Sequence, residues 1–380
     1  MTGRNRVFEL DVLRGIAVLL VMGSHLPVVP IWSNAGVFGV DLFFVLSGFL
    51  ISNLLFVEFR ETGHIKLSRF FFRRMLRLYP SFYVMLASTP LLCSLSSFSF
   101  GSKQVLGELT MTQNYVGSIW GHTWTLAIEE HFYLVLPLIL AFMMKARKGQ
   151  ANPFRWIPSV FLVLAIFCLA MRMWNATQYL GYNHHVQYEP SHVRFDSLFF
   201  GVLLSYLHNF FPQVLRRMME YPWRTPIAFV GLALFCPAMF LQLTDPFVYT
   251  VGFTLFYISF GIMLLLSIHE EPWRKRSKPG PGTKAVAWIG RYSYTIYLWN
   301  MPLAVIFVFI SHQHPKVNHY LLHVIYFALS IVIGVVSAKL IEIPVLKLRE
   351  RLCPVKISRA PEDPEVLTKI QSPAYQSLAS

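Results

Sequence analysis

Ten long apolar stretches separated by short polar segments constrain this chain more than any other feature. As helices that rise about 1.5 Å per residue, such stretches cross about 30 Å of hydrocarbon, allowing for tilt and polar interruptions. They run approximately over residues 10–28, 36–57, 79–98, 123–144, 156–174, 194–211, 226–243, 249–268, 288–311 and 320–341. We therefore predict an all-α fold, a polytopic integral membrane helical bundle of about ten transmembrane helices.

The composition agrees with a membrane protein and excludes an ordinary soluble one. Hydrophobic residues make up 55% of the 380 residues and charged residues 14%, whereas about 25% of a soluble globular chain is charged. The four cysteines have no CxxC spacing, so they indicate neither a metal site nor a disulfide framework.

Lys and Arg are concentrated in alternate connecting segments. With the N-terminus inside, the inside segments carry 26 of the 33 Lys and Arg residues, and the outside loops carry Lys103 and Lys316. Because positive residues stay on the cytoplasmic side, we predict two cytoplasmic termini in the cell (cytoplasmic or inner) membrane. The net charge of +14 reflects this bias and attraction to the lipid bilayer, and indicates no nucleic-acid partner.

The membrane domain is expected to occupy residues 1–345. Its first apolar stretch carries Asp11 and Arg14 and lacks an A-x-A cleavage site, so it is predicted to be a retained span. From about Ile343 the sequence becomes charged and bears Ser and Pro, which indicates a short interfacial helix followed by disorder. Residues 346–380 are therefore predicted to form a cytoplasmic, partly disordered tail.

Arg14 and His25 lie eleven residues apart in the first apolar stretch. Eleven residues make about three helical turns, so both side chains share one helix face, roughly 16 Å apart. Charged groups inside a span are costly and are seldom kept without a partner or a task. The pair is either a packing ion pair with an interfacial histidine or part of a functional site.

Acidic residues from two other apolar stretches are predicted to return to the depth of His25. Asp41 lies near the outer end of the second stretch, and Glu129 and Glu130 lie about 10 Å into the fourth. A carboxylate bonded to one imidazole nitrogen fixes the tautomer and raises the basicity of the other, as a general base requires. Depth alone does not choose between Asp41 and Glu129, and either acid could instead make a helix-packing hydrogen bond.

Four arginines precede the third apolar stretch on the inside face. Guanidinium groups bind phosphates with two parallel hydrogen bonds, so such a cluster suits a polyphosphate ligand such as coenzyme A. The alternative is a set of anchors for lipid headgroups. Arg14 lies deeper on the same side and favours the first interpretation. The cluster consists of Arg69, Arg73, Arg74 and Arg77.

Five segments follow one another along the chain: LDVLRGIAVLLVMGSH, GVFGVDLFFVLSGFLIS, FFRRMLRLYP, TWTLAIEEHFYLVLP and RFDSLFFGVLLSYL. In this order they resemble the membrane-bound acyltransferase-3 family, the bacterial O-acyltransferases of polysaccharides, lipids and antibiotics. The resemblance covers about residues 8–345, and its most specific part is an arginine and a histidine separated by ten residues and followed by VDLFFVLSGF.

The resemblance implies roles for several residues of this chain. Arg14 and His25 correspond to residues held essential in the family, and Arg73, Arg74 and Arg77 to its acyl-CoA arginines. Glu129 corresponds to the glutamate of its WSLxxE-type motif. One departure is Asn300, which stands where the family's YLWHxP-like segment often has histidine.

Together these residues predict an O-acyltransferase with no bound cofactor. Acyl-CoA, with acetyl-CoA as the first candidate, would be the donor co-substrate, and His25 would deprotonate a hydroxyl of a carbohydrate or glycolipid acceptor at the outer side. Trp124 or a backbone amide would stabilise the oxyanion, and a covalent relay through Ser24 or Ser47 is the alternative to direct transfer. The predicted acceptor side comprises Arg194, Asp196, Trp124 and Asn300, helped by the loops over residues 101–122 and 175–193.

Two other functions fit parts of this pattern. A proton-coupled transporter of a small or sugar-like solute would also place His, Asp, Glu and Arg within spans, but would often show inverted repeats, which this sequence lacks. A scaffold would not explain why His25, Asp41 and Glu129 share one depth. The sequence leaves the acceptor and the acyl group open.

Overall fold

The computed structural model describes residues 7–25, 29–94, 99–150, 152–179, 181–269, 279–314 and 316–354, and every regular element in these ranges is a helix. In chain order the α-helices are α1 (Phe8–His25), α2 (Pro30–Gly36), α3 (Gly39–Thr62), α4 (Leu67–Ser94), α5 (Ser102–Thr110), α6 (Gln113–Val116), α7 (Trp124–Ala146), α8 (Ile157–Gln178), α9 (His184–Gln187), α10 (Phe195–Phe210), α11 (Pro212–Met219), α12 (Arg224–Phe235), α13 (Pro237–Phe240), α14 (Phe253–Ile268), α15 (Pro281–Arg291), α16 (Ser293–Gln313), α17 (His319–Ser337) and α18 (Ile343–Leu352).

Short π-helical turns precede α14 and α18, and a 3₁₀ turn at Ser191–Val193 precedes α10. The all-α prediction is confirmed for the described residues.

Six helical segments of the described residues are long and apolar enough to cross a membrane, and α10 with α11 makes a seventh if that pair, bent by 104°, is one span. These segments agree with a multi-pass membrane helical bundle. The total of ten spans and the cytoplasmic termini stay predictions. The six are Pro30–Thr62, Trp124–Ala146, Ile157–Gln178, Val248–Ile268, Ser293–Gln313 and His319–Leu352.

Helices α3 and α10 pack closely against each other, through glycines. A Cβ atom on Gly201 would lie 2.7 Å from the backbone nitrogen of Phe49, and one on Gly48 would lie 3.2 Å from the Cα of Gly201. Small residues let helix backbones approach closely where water provides no driving force for association. The pairing fixes the rotation of α3, and with it the direction of Asp41 and Ser47.

The C-terminal helix α18 packs against the arginine-bearing part of α4. Nη2 of Arg73 lies 2.8 Å from Oε1 of Glu350, and Nη1 of Arg73 donates to the carbonyl of Cys353 over 2.5 Å. The short helix expected after Ile343 is therefore present as α18. The domain boundary at residue 345 stays a prediction, and the predicted disordered end falls on residues 355–380, outside the described residues.

Candidate active site

A cavity of about 270 Å³ lies among α1, α3, α4, α7 and α16. Charged and hydroxyl side chains line it as well as apolar ones. At one end, called the arginine end, are Arg14, Arg74 and Arg77; at the other, called the tyrosine end, are Thr125 and Tyr297. The remaining lining residues are Val40, Phe43, Phe44, Ser47, Leu50, Ile51, Leu54, Leu78, Leu126, Glu129, Tyr133, Ser293 and Tyr294.

The arginine end concentrates positive charge. The guanidinium of Arg74 is close enough to those of Arg14, Arg77 and Arg349 to be repelled by all three. Arg349 comes from α18 and pairs through Nη2 with Oε1 of Glu350 at 2.6 Å, while its Nε has no hydrogen-bond partner among the described residues. Like charges held together at the mouth of a cavity favour an anionic ligand, because an anion relieves their repulsion.

The structure divides the four predicted coenzyme A arginines into two pairs. Arg74 and Arg77 line the cavity. Arg69 instead forms an ion pair with Glu58 at 2.5 Å, and Arg73 is held by α18. Arg73 lies one helical turn before Arg77 on nearly the same face, but its guanidinium is bound by Glu350 and by the carbonyl of Cys353, and neither Arg69 nor Arg73 lines the cavity.

Glu129 and Ser47 meet in the middle of the cavity. Ser47 Oγ donates to Oε1 of Glu129 over 2.6 Å, and the hydroxyl of Tyr133 donates to Oε2 over 2.8 Å. The adjacent Glu130 faces α4 and accepts a hydrogen bond of 3.0 Å from Tyr79. Of the two candidates for the covalent relay, Ser47 lines the cavity, whereas Ser24 donates to a backbone carbonyl of its own helix.

The tyrosine end is closed by side chains that lead on to two histidines. The hydroxyl of Tyr297 lies 2.7 Å from Oγ1 of Thr125 and donates to the carbonyl of His122 over 2.9 Å. The ring centroid of His122 lies 5.1 Å from that of Tyr297 and 6.3 Å from that of His25. His25 therefore lies beyond the cavity, separated from it by one layer of rings.

Asn300 is the hydrogen-bond partner of His25. Nδ1 of His25 bonds to Oδ1 of Asn300, which is fully buried. Nδ2 of Asn300 donates to the carbonyls of Tyr297 over 2.5 Å and of Ile296 over 3.4 Å. Carbonyls only accept, so these bonds identify the amide nitrogen, and the atom facing His25 is oxygen. Nδ1 of His25 must then carry the hydrogen, which leaves Nε2 with its lone pair.

The expected contact of His25 with Asp41 or Glu129 is not made among the described residues, and this corrects the sequence prediction. Oδ1 of Asp41 accepts from Nη2 of Arg194 at 2.7 Å, with both side chains fully buried. Both oxygens of Glu129 are occupied by hydroxyl groups. Asp41 does approach the outer end of the bundle, but α3 turns its carboxylate towards α10 and away from α1.

Three of the predicted acceptor-side residues lie outside the lining of this cavity. Arg194 lies 4.0 Å from the ring centroid of Phe253, and Asp196 pairs with Arg172 at 2.8 Å. Trp124 is 3% exposed, with its ring centroid 4.7 Å from that of Tyr188. Their role towards an acceptor stays a prediction.

A proline in α16 explains how His122 is held. Pro302 has no backbone N–H, so it cannot donate to the carbonyl of Leu298 four residues earlier. That carbonyl instead lies 3.2 Å from Nε2 of His122. Sequence reasoning missed this histidine, although the proline within an apolar helix marks a carbonyl that needs another donor.

The loop before α7 is fixed by buried polar groups. Oε1 of Glu108 accepts from Oγ1 of Thr123 over 2.6 Å and from the backbone N–H of Ile119 over 2.9 Å. Nε2 of Gln113 donates to the carbonyl of Thr123 over 2.9 Å. Burial raises the pKa of Glu108 to about 7 and lowers that of His122 to about 3. His122 is therefore neutral at physiological pH, on a rigid loop.

The second outer loop, over residues 175–193, carries a different cluster. Nδ1 of His184 lies 3.0 Å from Oε1 of Glu189, and Nδ1 of His185 lies 2.5 Å from Oε2. Within the part of the chain that the structure describes, no group of three or more His, Cys, Asp or Glu residues is arranged to hold a metal ion. Glu189 here orders its own loop.

Comparison with protein families gives a match over nearly the whole described chain. The family model Acyl_transf_3, described as an acyltransferase domain, matches residues 7–340. No solved structure matches the chain.

Among curated proteins, the chain is 29% identical over 363 residues to "Putative O-acetyltransferase SACOL0978" of Staphylococcus aureus strain COL. It is 27% identical over 364 residues to the "O-acetyltransferase OatA" of S. aureus strain NCTC 8325 / PS 47. Each alignment covers 89% of this chain and 57% of the relative. The chain thus spans little more than half the length of these relatives.

Proposed function

The chain belongs to the acyltransferase-3 domain family, and from this premise we propose that it is a membrane O-acyltransferase. The donor would be cytosolic acyl-CoA, with acetyl-CoA first, and the acceptor a hydroxyl of a carbohydrate or glycolipid at the outer side. The observation that carries the proposal is the cavity that runs from three arginines towards the ring layer next to His25. The two relatives are named O-acetyltransferases, which favours acetyl over longer groups.

The arginine end supports a coenzyme A donor. Arg14, Arg74 and Arg77 present guanidinium groups to the cavity, and Arg349 adds charge from α18. Phosphate groups bind such clusters through charge-assisted hydrogen bonds, and the positive-inside pattern favours the cytosolic face for this end. The thioester arm would then extend along Ser47 and Glu129 towards Tyr297.

His25 would act as the general base. Its Nε2 takes the proton from the acceptor hydroxyl, and the alkoxide oxygen forms a bond to the thioester carbonyl carbon. The C–S bond then breaks, and the coenzyme A thiolate leaves with the proton returned by the imidazolium. Asn300 is a positioning residue in this scheme, because it keeps the hydrogen on Nδ1 and the lone pair on Nε2.

Transfer would require the tyrosine end to open. The acyl carbon must pass the layer of Tyr297 and His122, which separates the cavity from His25. Breaking the contacts of the Tyr297 hydroxyl with Thr125 and with the carbonyl of His122 would free the Tyr297 ring to move. Substrate-induced opening of this kind keeps the thioester from water until the acceptor is bound.

Purified protein in vesicles, supplied with labelled acetyl-CoA on one side and glycan acceptors on the other, tests the proposal. We expect coenzyme A release that depends on the acceptor, and a loss of at least about 100-fold in His25→Ala. The exposed His314→Ala is the matched control and should retain full activity.

Full transfer by a folded His25→Ala variant would overturn the role of His25. Uptake of solute without coenzyme A release would instead identify a transporter.

A further inference from the structure

His122 is a buried histidine that the proposed transfer reaction does not use. Its side chain is 2% exposed, and its ring lies edge-on to that of His25, with centroids 6.3 Å apart and an interplanar angle of 75°. Unlike His25, it comes from a loop and not from a spanning helix.

The contacts of His122 fix its tautomer. Nε2 lies 3.2 Å from the carbonyl of Leu298, which can only accept, so Nε2 carries the hydrogen. Nδ1 is then an acceptor, and it is buried with no hydrogen-bond partner among the described residues. Buried polar atoms are nearly always hydrogen-bonded, and one without a partner calls for a ligand or another explanation.

The surroundings of His122 hold it firmly. Its carbonyl accepts from Tyr297 over 2.9 Å and from Oγ1 of Thr125 over 3.0 Å. On either side of it, Trp120 donates to Thr89 over 3.0 Å and Thr123 donates to Glu108 over 2.6 Å. A position fixed on three sides, with one acceptor left over, has the form of a preorganised binding group.

His25 and His122 therefore each keep one acceptor atom, on rings whose centroids lie 6.3 Å apart. Asn300 occupies Nδ1 of His25 and leaves Nε2, whereas Leu298 occupies Nε2 of His122 and leaves Nδ1. Neither ring is positioned to donate to a ligand. A molecule that satisfies both rings must bring two hydrogen-bond donors, as two neighbouring hydroxyl groups of a sugar do.

We propose that His122 binds the acceptor, by accepting a hydrogen bond from the hydroxyl next to the one that is acylated. The enzyme would thus select polyols with adjacent hydroxyl groups over simple alcohols. This inference rests on the proposed function, because it takes the hydroxyl at His25 to be the one that reacts.

Methyl α-D-glucopyranoside and its four monodeoxy derivatives are suitable probes. Mass spectrometry of the product first identifies the acylated position. In the wild type, removing the neighbouring hydroxyl should lower kcat/KM about tenfold, the value of one hydrogen bond. In His122→Phe, the parent sugar and that derivative should react within about twofold of each other, with KM for acetyl-CoA unchanged.

Two further variants exclude a general disturbance. His122→Asn keeps an acceptor oxygen near the position of Nδ1. It should therefore retain most of the decrease in kcat/KM that follows removal of the neighbouring hydroxyl. His314→Phe changes an exposed histidine that lies in neither acceptor-side loop, and it should behave as the wild type.

If removal of the neighbouring hydroxyl lowered kcat/KM equally in the wild type and in His122→Phe, the proposal would be overturned. Binding of the same sugars, measured by saturation-transfer NMR without acyl-CoA, is the second measurement. Weaker binding in His122→Phe, but not in His314→Phe, supports the role of His122 even if no acyl transfer occurs, and equal binding contradicts it. Failure of the wild type to release coenzyme A would count against the transferase proposal alone.

Discussion

Nδ1 of His25 and Oδ1 of Asn300 are hydrogen-bonded across 275 residues of sequence, between the end of α1 and the middle of α16. Asn300 is itself held by the carbonyls of its own helix, so its oxygen faces His25. A neutral amide orients the imidazole and stabilises its protonated form less than a carboxylate would. The base is therefore positioned while its ability to release the proton again is kept.

Substitution of Asn300 should separate positioning from packing. Asn300→Ala is expected to lower kcat about 10- to 100-fold with KM for acyl-CoA unchanged, because the tautomer is no longer fixed. Asn300→Asp places a carboxylate beside Nδ1, which stabilises the imidazolium, so the base stays protonated to higher pH. The acid limb of the kcat/KM profile should move up by about one pH unit. An unmoved limb in Asn300→Asp would argue against the proposed role of His25.

The arginines of α4 should differ in their effect on the donor. Arg74→Gln and Arg77→Gln are each expected to raise KM for acyl-CoA about tenfold or more, because each removes charge-assisted hydrogen bonds to phosphate. Arg69→Gln is the matched control, since Arg69 pairs with Glu58 outside the cavity. With acyl-pantetheine, which lacks the nucleotide phosphates, all three variants should resemble the wild type. An equal rise in KM for Arg69→Gln would contradict the division of the cluster.

Substitution of Ser47 distinguishes direct transfer of the acyl group from a covalent relay. It is bonded to Glu129 in the middle of the cavity, where an acylated serine would have to form. With direct transfer, Ser47→Ala should lose less than about tenfold in kcat, the value of one hydrogen bond. Ser24→Ala removes a serine bonded to its own helix and serves as control. A labelled acyl group trapped on wild-type protein and absent from Ser47→Ala would establish the relay instead.

The buried ion pair of Asp41 and Arg194 should contribute strongly to the free energy of unfolding. Asp41→Leu leaves a fully buried guanidinium without its carboxylate, and we expect the free energy of unfolding to fall by about 3–5 kcal/mol. The double variant Asp41→Leu with Arg194→Met should recover much of this loss.

The exposed pair of Arg216 and Glu220 is the control, and Glu220→Gln should cost no more than about 1 kcal/mol. If Asp41 assisted His25 directly, the stable double variant would still be inactive.

Glu108 should make the stability of the outer loop depend on pH. Burial raises its pKa from 4.5 to about 7 in the folded protein. Its contribution is therefore fully present below about pH 4.5 and is lost as pH rises through 7, by on the order of 2–3 kcal/mol. Thermal unfolding of Glu108→Gln between pH 5 and 8 should lack this decline, whereas the exposed Glu61→Gln should keep it. A wild type whose stability does not fall over this range would contradict the prediction.

The sequence alone identified the helical membrane bundle, the placement of Arg14 and His25 on one helix, and the arginines at the start of α4. Each of these follows from composition, from helical rise or from spacing within one segment. Residue counting also predicted that Asp41 and Glu129 lie at the depth of His25, whereas Glu129 lines the cavity and His25 lies beyond the ring layer at its tyrosine end.

The tertiary structure alone decided which of these groups meet. Because α3 packs closely on α10, Asp41 pairs with Arg194, which is 153 residues away in the sequence. The hydrogen-bond partner of His25 is instead Asn300 from α16. The rise per residue sets the position of a side chain along its helix, but the partner of that side chain depends on how the helix is rotated and on which helix lies beside it. Those two quantities are set by the contacts of the whole bundle, and no single segment contains them.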